Sequence, residues 1–251
     1  MTDAISFQNL GFAYQSGKWI FKDYSATIPT QSIFAILGPN GCGKTTLLKL
    51  ILKLLHPNTG NVTVNGITAL VPQLFQTTFA FTVLDMVLMG RARKIGLFSQ
   101  PSKHDVKAAM AALDRFGLAH LSRRAFHQLS GGQRQLLILA RALVAEADIL
   151  VMDEPTSALD LKNQALVLEW ISRLSREYGM TVLFTTHHPH HAYAVADNVM
   201  LMLGEQKFTC GPAKEVMTED NLRSLYGIDL KRLSYTYQNQ ILETFVPVYK
   251  I

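Results

Sequence analysis

The chain has 251 residues and only two cysteines, Cys42 and Cys210, which excludes a disulfide framework and indicates a reducing compartment. Its formal net charge of +5 suits an anionic partner, a class that includes nucleotides, nucleic acids and acidic membrane surfaces. No run of about 18 uncharged apolar residues occurs and the first residues lack a signal-peptide pattern, so we expect neither a membrane span nor a signal peptide.

The first half of the chain contains a predicted strand, a glycine-rich loop and a helix. Residues 33–37 (IFAIL) are an apolar run that ends at Gly38, and apolar residues then recur at helical spacing until Pro57. Residues 60–66 lie between glycines and predict a small strand. Apolar spacing further along predicts helices over 104–118 and 132–145.

The second half alternates apolar strands with helices. Residues 149–152 (ILVM) are wholly apolar and directly precede two acidic residues, as in a buried parallel strand with acids at its carboxyl end. A helix is predicted over 161–178, followed by strands at 181–184 and 199–203. This alternation predicts an α/β fold with a mainly parallel sheet, into which a mostly helical lobe, about residues 76–145, is inserted.

Residues 38–45 (GPNGCGKT) match the pattern G-x-x-x-x-G-K-[ST] of a phosphate-binding loop. The glycines let backbone N–H groups surround phosphate oxygens, and the helix that follows adds positive potential at its N-terminus. Lys44 would reach the β- and γ-phosphates, and the hydroxyl of Thr45 would bind Mg²⁺. The alternative is a glycine-rich turn with a chance lysine, which the flanking strand and amphipathic helix disfavour.

Asp153 and Glu154 close the apolar strand at 149–152. A carboxylate in the position of Asp153 holds Mg²⁺ in nucleotide hydrolases that have such a loop. Glu154 lies where the strand ends, so its side chain can turn toward the γ-phosphate and polarise the attacking water as a general base. A helix N-cap is the alternative for this acidic pair, because Pro155 and Thr156 follow directly.

Residues 129–135 (LSGGQRQ) form a second candidate anion site, because Ser130, Gly131 and Gly132 lie at the start of a predicted helix. A nucleotide has one γ-phosphate, whereas this chain carries two phosphate-binding devices. Either the two devices serve separate ligands, or two chains face each other head to tail and each completes the other's site.

Together these motifs resemble the ATP-binding-cassette ATPases, over nearly the whole chain. In order, the matching segments are Tyr14, GPNGCGKT (Walker A), Gln73 of VPQ (Q-loop), LSGGQ (signature), ILVMDE (Walker B), SALD at 157–160 (D-loop) and TTH ending at His187 (switch). The resemblance implies a P-loop NTPase core of RecA type with a parallel sheet, an N-terminal antiparallel β subdomain and an inserted helical subdomain. The implied domains are a nucleotide-binding core at 1–75 and 146–228, a helical signature subdomain at 76–145 and a C-terminal tail at 229–251.

The resemblance also implies the roles of the site residues. Glu154, His187 and Gln73 are the implied catalytic residues, and the implied Mg²⁺ ligands are Thr45, Gln73 and Asp153. ATP is implied to lie between the two cassettes of a homodimer. The implied ATP contacts are Tyr14, Gly38, Pro39, Asn40, Gly41, Cys42, Gly43, Lys44, Thr45, Thr46, Ser130, Gly131, Gly132, Gln133 and Asp160.

Four of the eight histidines lie within residues 187–191. In the family that the chain resembles, the histidine in the place of His187 contacts the γ-phosphate, and relatives often have aspartate in the place of His188. His190 and His191 are neighbours on a predicted helix and point about 100° apart, which disfavours joint metal binding. We therefore expect no metal site here, and we expect the other three histidines to be exposed to solvent.

Two classes of such ATPases are alternatives: the motor of a transporter, and a non-transport ATPase that acts on DNA or ribosomes. Paired cassettes, long coiled coils and zinc-binding inserts are typical of the second class and do not occur, so we expect no nucleic-acid partner. The segment after the Q-loop suits the docking of a permease's coupling helix, with ordinary core packing as the alternative. Its apolar residues are Phe79, Phe81, Val83, Met86, Val87 and Met89.

Three segments resemble importer cassettes for metal chelates such as iron–siderophore, haem and cobalamin: 82–91 (TVLDMVLMGR), 159–164 (LDLKNQ) and 219–228 (EDNLRSLYGI). The short link from Gly66 to Gln73 departs from the siderophore type and is similar to the molybdate/tungstate member of that group and to manganese/zinc cassettes. FVPVYK at 245–250 also resembles the molybdate member. The resemblance implies a peripheral ATPase at the cytoplasmic face of the plasma membrane that drives import of a metal chelate or an oxyanion. The implied partners are permease subunits and an extracytoplasmic substrate-binding protein, and a manganese or zinc importer is the alternative.

Overall fold

The computed structural model describes residues 3–73, 80–96, 99–204 and 207–249. The chain divides into two compact units: unit 1 is Met1–Asn65 with Ile171–Ile251, and unit 2 is Gly66–Trp170. The domain boundaries that the family resemblance implies stay a prediction.

The strands follow the apolar runs of the sequence. In chain order they are β1 (Asp3–Phe12), β2 (Phe21–Pro29), β3 (Ile33–Leu37), β4 (Thr59–Val64), β5 (Thr68–Val71), β6 (Ile149–Met152), β7 (Thr181–Thr186), β8 (Asn198–Gly204), β9 (Lys207–Pro212), β10 (Leu230–Tyr237) and β11 (Gln240–Pro247).

The α-helices of the described residues lie between these strands. In chain order they are α1 (Lys44–Ile51), α2 (Val83–Leu88), α3 (Lys103–Arg115), α4 (Gly131–Val144), α5 (Leu161–Arg176), α6 (Pro189–Val195), α7 (Ala213–Val216) and α8 (Glu219–Tyr226). Short 3₁₀ turns occur at Met89–Arg91, Ala119–Leu121 and Phe126–Gln128. None of the helices in the described ranges is long and apolar enough to cross a membrane.

Unit 1 contains an antiparallel sheet with strand order β2-β1-β4 and a second group of strands with order β7-β3-β8-β9. β3 pairs in parallel with β7 and β8, and β9 pairs antiparallel with β8. Every residue of β3 is buried, as its apolar sequence predicts. Leu37 at the end of β3 is the register partner of Thr186 at the end of β7. Gly38 and His187 directly follow these two strands, so they lie side by side where the chain leaves the sheet.

The last two strands, β10 and β11, form a separate hairpin in unit 1. Its two-residue turn consists of Gln238 and Asn239, with φ of 48° and 61°. Two left-handed residues are what a type I′ turn requires, and asparagine adopts that conformation readily. The segment expected to be a C-terminal tail is therefore an ordered hairpin.

Unit 2 contains the parallel pair β5 and β6, with α2, α3 and α4 between them in the sequence. Arg91 is buried and forms ion pairs with Asp105 (3.0 Å) and Glu146 (2.6 Å), which tie the helices together. Hydrogen bonds from Ser102, and then from Arg91, hold the pKa of Asp105 at about 2. The predicted α/β fold, with its N-terminal antiparallel sheet and helical insert, is confirmed.

The apolar segment after the Q-loop is buried in part. Val83, Met86 and Val87 are fully buried in unit 2, so these three residues form its core. Met89 is exposed and Phe81 is half-buried. Phe79 lies outside the described residues.

Candidate nucleotide-binding and catalytic site

The predicted phosphate-binding loop joins β3 to α1 in unit 1. Gly41 and Gly43 have φ of 82° and 105°, in the left-handed region that glycine adopts without strain. A Cβ atom on Gly43 would lie 2.6 Å from Cγ2 of Ile20, so this position also lacks space for a side chain. The loop thus turns tightly into the N-terminus of α1, which is the backbone arrangement that binds phosphate.

Lys44 is the first residue of α1 and its side chain is buried. Its Nζ donates hydrogen bonds to the backbone oxygens of Gly38 (2.9 Å) and Pro39 (3.2 Å). The ammonium group therefore lies inside the curve of the loop, where it can neutralise phosphate oxygens. Thr45 is on the first turn of α1 and its side chain is exposed.

Tyr14 lies beside this helix. Its side chain is 59% exposed, and its hydroxyl oxygen is 3.3 Å from Oγ1 of Thr46. The ring meets Phe12 edge-on, with centroids 4.9 Å apart. An exposed aromatic ring that is held next to a phosphate-binding helix is well placed to stack on a nucleotide base.

We expect Tyr14→Ala to weaken ATP binding by about tenfold or more, because base–aromatic stacking contributes roughly 1–3 kcal/mol. Tyr14→Phe keeps the ring and should retain most of the affinity. Titration of each variant with a fluorescent ATP analogue measures the effect. Unchanged affinity together with a lower melting temperature would show that Tyr14 only packs against the N-terminal strand.

Cys42 lies in the loop, half-buried, next to the N-terminus of α1. A Cβ atom on Gly38 would lie 2.5 Å from Sγ of Cys42, so the thiol packs against the start of the loop. The other cysteine, Cys210, is less reactive, because burial raises the pKa of its thiol to about 11.

We expect a maleimide to react with Cys42 and inactivate the ATPase, because the added group fills the phosphate site. ATP should protect the enzyme, and Cys42→Ala should remove its sensitivity to the reagent. Mass spectrometry of the labelled peptide, with and without ATP, measures the outcome. Inactivation that follows labelling of Cys210, or that ATP does not slow, would contradict this position for the loop.

Glu154 follows β6 in unit 2 and has a φ of 46°. A left-handed backbone at a residue other than glycine costs about 1 kcal/mol or more and is often found at functional sites. The backbone oxygen of Glu154 accepts hydrogen bonds from N (3.2 Å) and Oγ (3.1 Å) of Ser157, which fixes this turn. No helix begins at the acidic pair, since α5 begins at Leu161, so the N-cap alternative is wrong.

Four predicted motifs meet at one cavity in unit 2. Nε2 of Gln73 donates a hydrogen bond of 3.3 Å to Oγ of Ser157, which joins the Q-loop to the D-loop. The cavity has a volume of about 230 Å³ and is lined by residues of the Q-loop, the signature helix, the Walker B end and the D-loop. These include Gln73, Gly131, Arg134, Gln135, Glu154, Ser157 and Leu159.

The signature begins α4 with a capping box. Oγ of Ser130 accepts a hydrogen bond from N of Gln133 (3.3 Å), and Oε1 of Gln133 accepts one from N of Ser130 (3.0 Å). The two glycines between them have no side chains that could cover the helix N-terminus. The signature therefore has the form that an anion site requires.

Asn163, which none of the predicted motifs includes as a site residue, lies between the signature and the D-loop. Its Nδ2 and its backbone N both donate to Oδ1 of Asp160, at 2.7 and 2.9 Å. A Cβ atom on Gly132 would lie 2.1 Å from Oδ1 of Asn163. Asp160 therefore caps the N-terminus of α5, because its side chain accepts the hydrogen bond of a backbone N in the first turn. An aspartate directly before a predicted helix is the sequence signal for such a cap.

The predicted site residues are thus distributed over the two units. Unit 1 holds Tyr14, the phosphate-binding loop and His187, and unit 2 holds Gln73, the signature, Asp153, Glu154 and Asp160.

The histidine segment follows β7 in unit 1. The backbone N of His188 donates to Oγ1 of Thr186 (3.0 Å), and Pro189 begins α6, as its preference for the first helical position predicts. His190 is exposed and His188 is half-buried, but His191 is only 4% exposed. The expectation that all three are solvated is therefore wrong for His191. Among the described residues no cluster of three or more His, Cys, Asp or Glu side chains is arranged to hold a metal.

Burial, reinforced by the neighbouring histidines, lowers the pKa of His191 to about 3. The unfolded chain then binds more protons than the folded chain below pH ~6.5, so stability is complete above that pH and declines as the pH falls toward 3. We expect a loss of about 1–2 kcal/mol between pH ~7.5 and ~5, with solvent screening taken into account.

Urea unfolding at the two pH values measures the His191 effect. His191→Leu should reduce the loss of stability, and His104→Leu, at an exposed position of α3, should preserve it. An equal loss in the wild type and in His191→Leu would assign the pH dependence to other groups.

Comparison with known proteins agrees with these motifs. The profile of the ABC transporter family matches residues 21–157. The chain is 43% identical over 250 residues to the molybdate import ATP-binding protein MolC of Haemophilus influenzae, covering 100% of this chain and 98% of that protein. It is 37% identical over 243 residues to the "Probable iron chelatin transport ATP-binding protein" of Helicobacter pylori, covering 91% of this chain and 95% of that one.

A solved structure shares the whole fold. It is described as "An inward-facing conformation of a putative metal-chelate type ABC transporter". The match has a TM-score of 0.94 at 42% sequence identity and covers 99% of both chains. The chain therefore belongs to the ABC transporter family, as an ATP-binding cassette that hydrolyses ATP.

Proposed function

We propose that this cassette is the motor subunit of a membrane importer for an oxyanion such as molybdate or tungstate, or for a metal chelate. The observation that carries the proposal is the 43% identity, over the whole chain, to a cassette named for molybdate import. The metal-chelate type transporter at 42% identity supports the same group of importers. In such a complex the permease and a substrate-binding protein recognise the substrate, and the cassette supplies the energy of ATP hydrolysis.

Glu154 is proposed as the general base that polarises the attacking water. Its support is the left-handed turn that directs the chain away from β6 and the cavity that Glu154 shares with Gln73. A base in this position lowers the barrier by accepting the proton as the water attacks the γ-phosphate. His187 is proposed to contact the γ-phosphate, because it leaves the sheet next to the first residue of the phosphate-binding loop.

Mg²⁺ is proposed as the metal ion of the reaction, held by Thr45, Gln73 and Asp153. The donors are a hydroxyl, an amide oxygen and a carboxylate, which are the oxygen ligands that Mg²⁺ prefers. Because Nε2 of Gln73 already donates to Ser157, its amide oxygen is left for the ion. When bound, the ion neutralises charge on the β- and γ-phosphates.

The cassette is proposed to act as a head-to-tail homodimer at the cytoplasmic face of the plasma membrane. The support for a dimer is that the chain has two helix N-termini suited to binding phosphate, at Gly43 and at Ser130. The chain has one phosphate-binding loop and so binds one nucleotide there, which leaves the helix N-terminus at Ser130 for the nucleotide of a partner. In this arrangement Ser130, Gly131, Gly132, Gln133 and Asp160 face the ATP of the partner cassette.

Reconstitution of the cassette with its permease in proteoliposomes tests the function. We expect ATP-dependent uptake of molybdate or tungstate, or of a ferric chelate, when each is supplied separately. If Mn²⁺ is taken up and none of these substrates is, the divalent-metal alternative would replace this proposal. Strong stimulation of ATP hydrolysis by duplex DNA, with an affinity that falls steeply in salt, would contradict a transporter.

A further inference from the structure

The C-terminal hairpin, β10 and β11, holds α6 through one tyrosine. The Tyr193 hydroxyl donates a hydrogen bond of 2.5 Å to Oε2 of Glu243. The Tyr193 ring meets the ring of Phe245 edge-on, with centroids 5.1 Å apart. Cζ of Arg232 lies over both rings, 5.4 Å from the centroid of Tyr193 and 5.2 Å from that of Phe245. Three side chains of the hairpin therefore contact one side chain of α6.

The root of the hairpin is fixed independently of α6. Nη2 of Arg232 donates a hydrogen bond of 2.6 Å to the backbone oxygen of Met217. Glu219 of α8 accepts hydrogen bonds from the backbone N of Arg232 (2.9 Å) and from Nζ of Lys231 (2.6 Å). The contact with Tyr193 thus connects α6 to a second anchored element, so the hairpin can restrain the helix.

The two faces of the hairpin differ in chemistry. In the strand register Arg232 pairs with Phe245, and Ser234 with Glu243, so these residues share the face that contacts α6. The opposite face carries exposed apolar side chains: Leu233, Tyr235, Tyr237 and Val246. The buried residues of the hairpin, Leu230 and Phe245, lie on the face that contacts α6. Arg232 and the exposed Glu243 lie on the same face and add polar contacts with Tyr193.

The helix that the hairpin holds begins two residues after His187. A cavity of about 270 Å³ lies beside this segment and is lined by His187, His188, His190, Tyr226, Phe245 and Tyr249, among others. Close packing would fix a segment in place, whereas an adjoining cavity leaves it space to shift. Only His188 separates His187 from α6, so a shift of α6 would be transmitted to His187.

We propose that the hairpin positions His187 for ATP hydrolysis and that Glu243 is the positioning residue, acting through Tyr193. This inference rests on the role proposed above for His187 at the γ-phosphate. Without the Glu243 hydrogen bond, α6 can shift into the adjoining cavity and carry His187 away from the reacting group. A displacement of about 1 Å can reduce a catalytic rate by up to about 10²-fold.

Steady-state ATP hydrolysis by the purified cassette tests the proposal. We expect Glu243→Ala to lower kcat by about tenfold with KM changed by less than about twofold, because the phosphate-binding loop is untouched. Glu243→Gln retains an acceptor for the Tyr193 hydroxyl and should retain most of kcat. Tyr235→Phe removes a hydroxyl from the exposed face of the same hairpin and serves as the matched control, with both constants unchanged.

The same substitutions in a His187→Ala background separate this inference from the proposed function. There, Glu243→Ala should lower kcat no further, because the group that it positions is absent. An equal loss in both backgrounds, or wild-type kcat with a lower melting temperature in Glu243→Ala, would overturn the role of the hairpin and leave that of His187 intact. Undiminished kcat in His187→Ala alone would overturn the role of His187, and the hairpin inference with it.

Discussion

Replacement of Glu154 by glutamine is expected to slow ATP hydrolysis by about 10²–10⁴-fold, the usual contribution of a general base. Glutamine has the shape of glutamate but cannot accept the proton of the attacking water. ATP binding should be retained, because the phosphate-binding loop with Lys44 is unchanged. The variant should therefore accumulate with ATP bound and, in the proposed head-to-tail arrangement, as a dimer that size-exclusion chromatography detects.

A glutamate at an exposed position provides the matched control for Glu154. Glu169 is exposed on α5 in the same unit, and Glu169→Gln changes charge by the same amount. This variant should hydrolyse ATP at the wild-type rate. Turnover of Glu154→Gln within about threefold of the wild type would remove Glu154 from the role of general base.

The local elements that carry Glu154 could be predicted from the sequence because their signals are local. The wholly apolar run 149–152 coincides with β6, and the predicted helix over 132–145 is α4, Gly131–Val144. Each boundary coincides with a change in chemistry, from apolar to acidic residues or from a capping serine to glycines. The turn at Glu154 follows from the same signal, although its φ of 46° could be measured only in the structure.

The remaining features depend on contacts between distant residues. His191 is buried although its neighbour His190 is exposed, because α6 directs one toward unit 1's interior and the other toward solvent. Asn163 is only an ordinary helix residue until the fold brings its side chain against Gly132. The turn of the hairpin at Gln238 and Asn239 is a local feature of the sequence. The hydrogen bond between Tyr193 and Glu243 joins residues 50 positions apart, and spacing along the chain does not indicate it.

The second large effect is expected from Gly132→Val, which should reduce ATP hydrolysis by about 10²–10³-fold, comparable to the loss of a preorganised donor at an anion site. The new side chain would stand at the N-terminus of α4 and cover the backbone groups proposed to face the partner's ATP. It would also collide with Asn163, since even a Cβ atom lies 2.1 Å from its Oδ1. Binding of ATP should be retained, because the phosphate-binding loop belongs to unit 1.

Three further variants distinguish between two effects of Gly132→Val: covering of the helix N-terminus at the signature, and collision with Asn163. A Cβ atom on Gly131 meets only Cδ2 of Leu159 at 3.8 Å, so Gly131→Ala should leave the melting temperature unchanged, whereas Gly132→Ala should lower it. Asn163→Ala removes the colliding side-chain atoms without placing a glycine in α5, and it should restore part of the stability of Gly132→Val without restoring its hydrolysis. Recovery of hydrolysis in that double variant would mean that the collision alone causes the loss. The signature would then act through the D-loop, by way of Asp160, and direct contact with the partner's nucleotide would be contradicted.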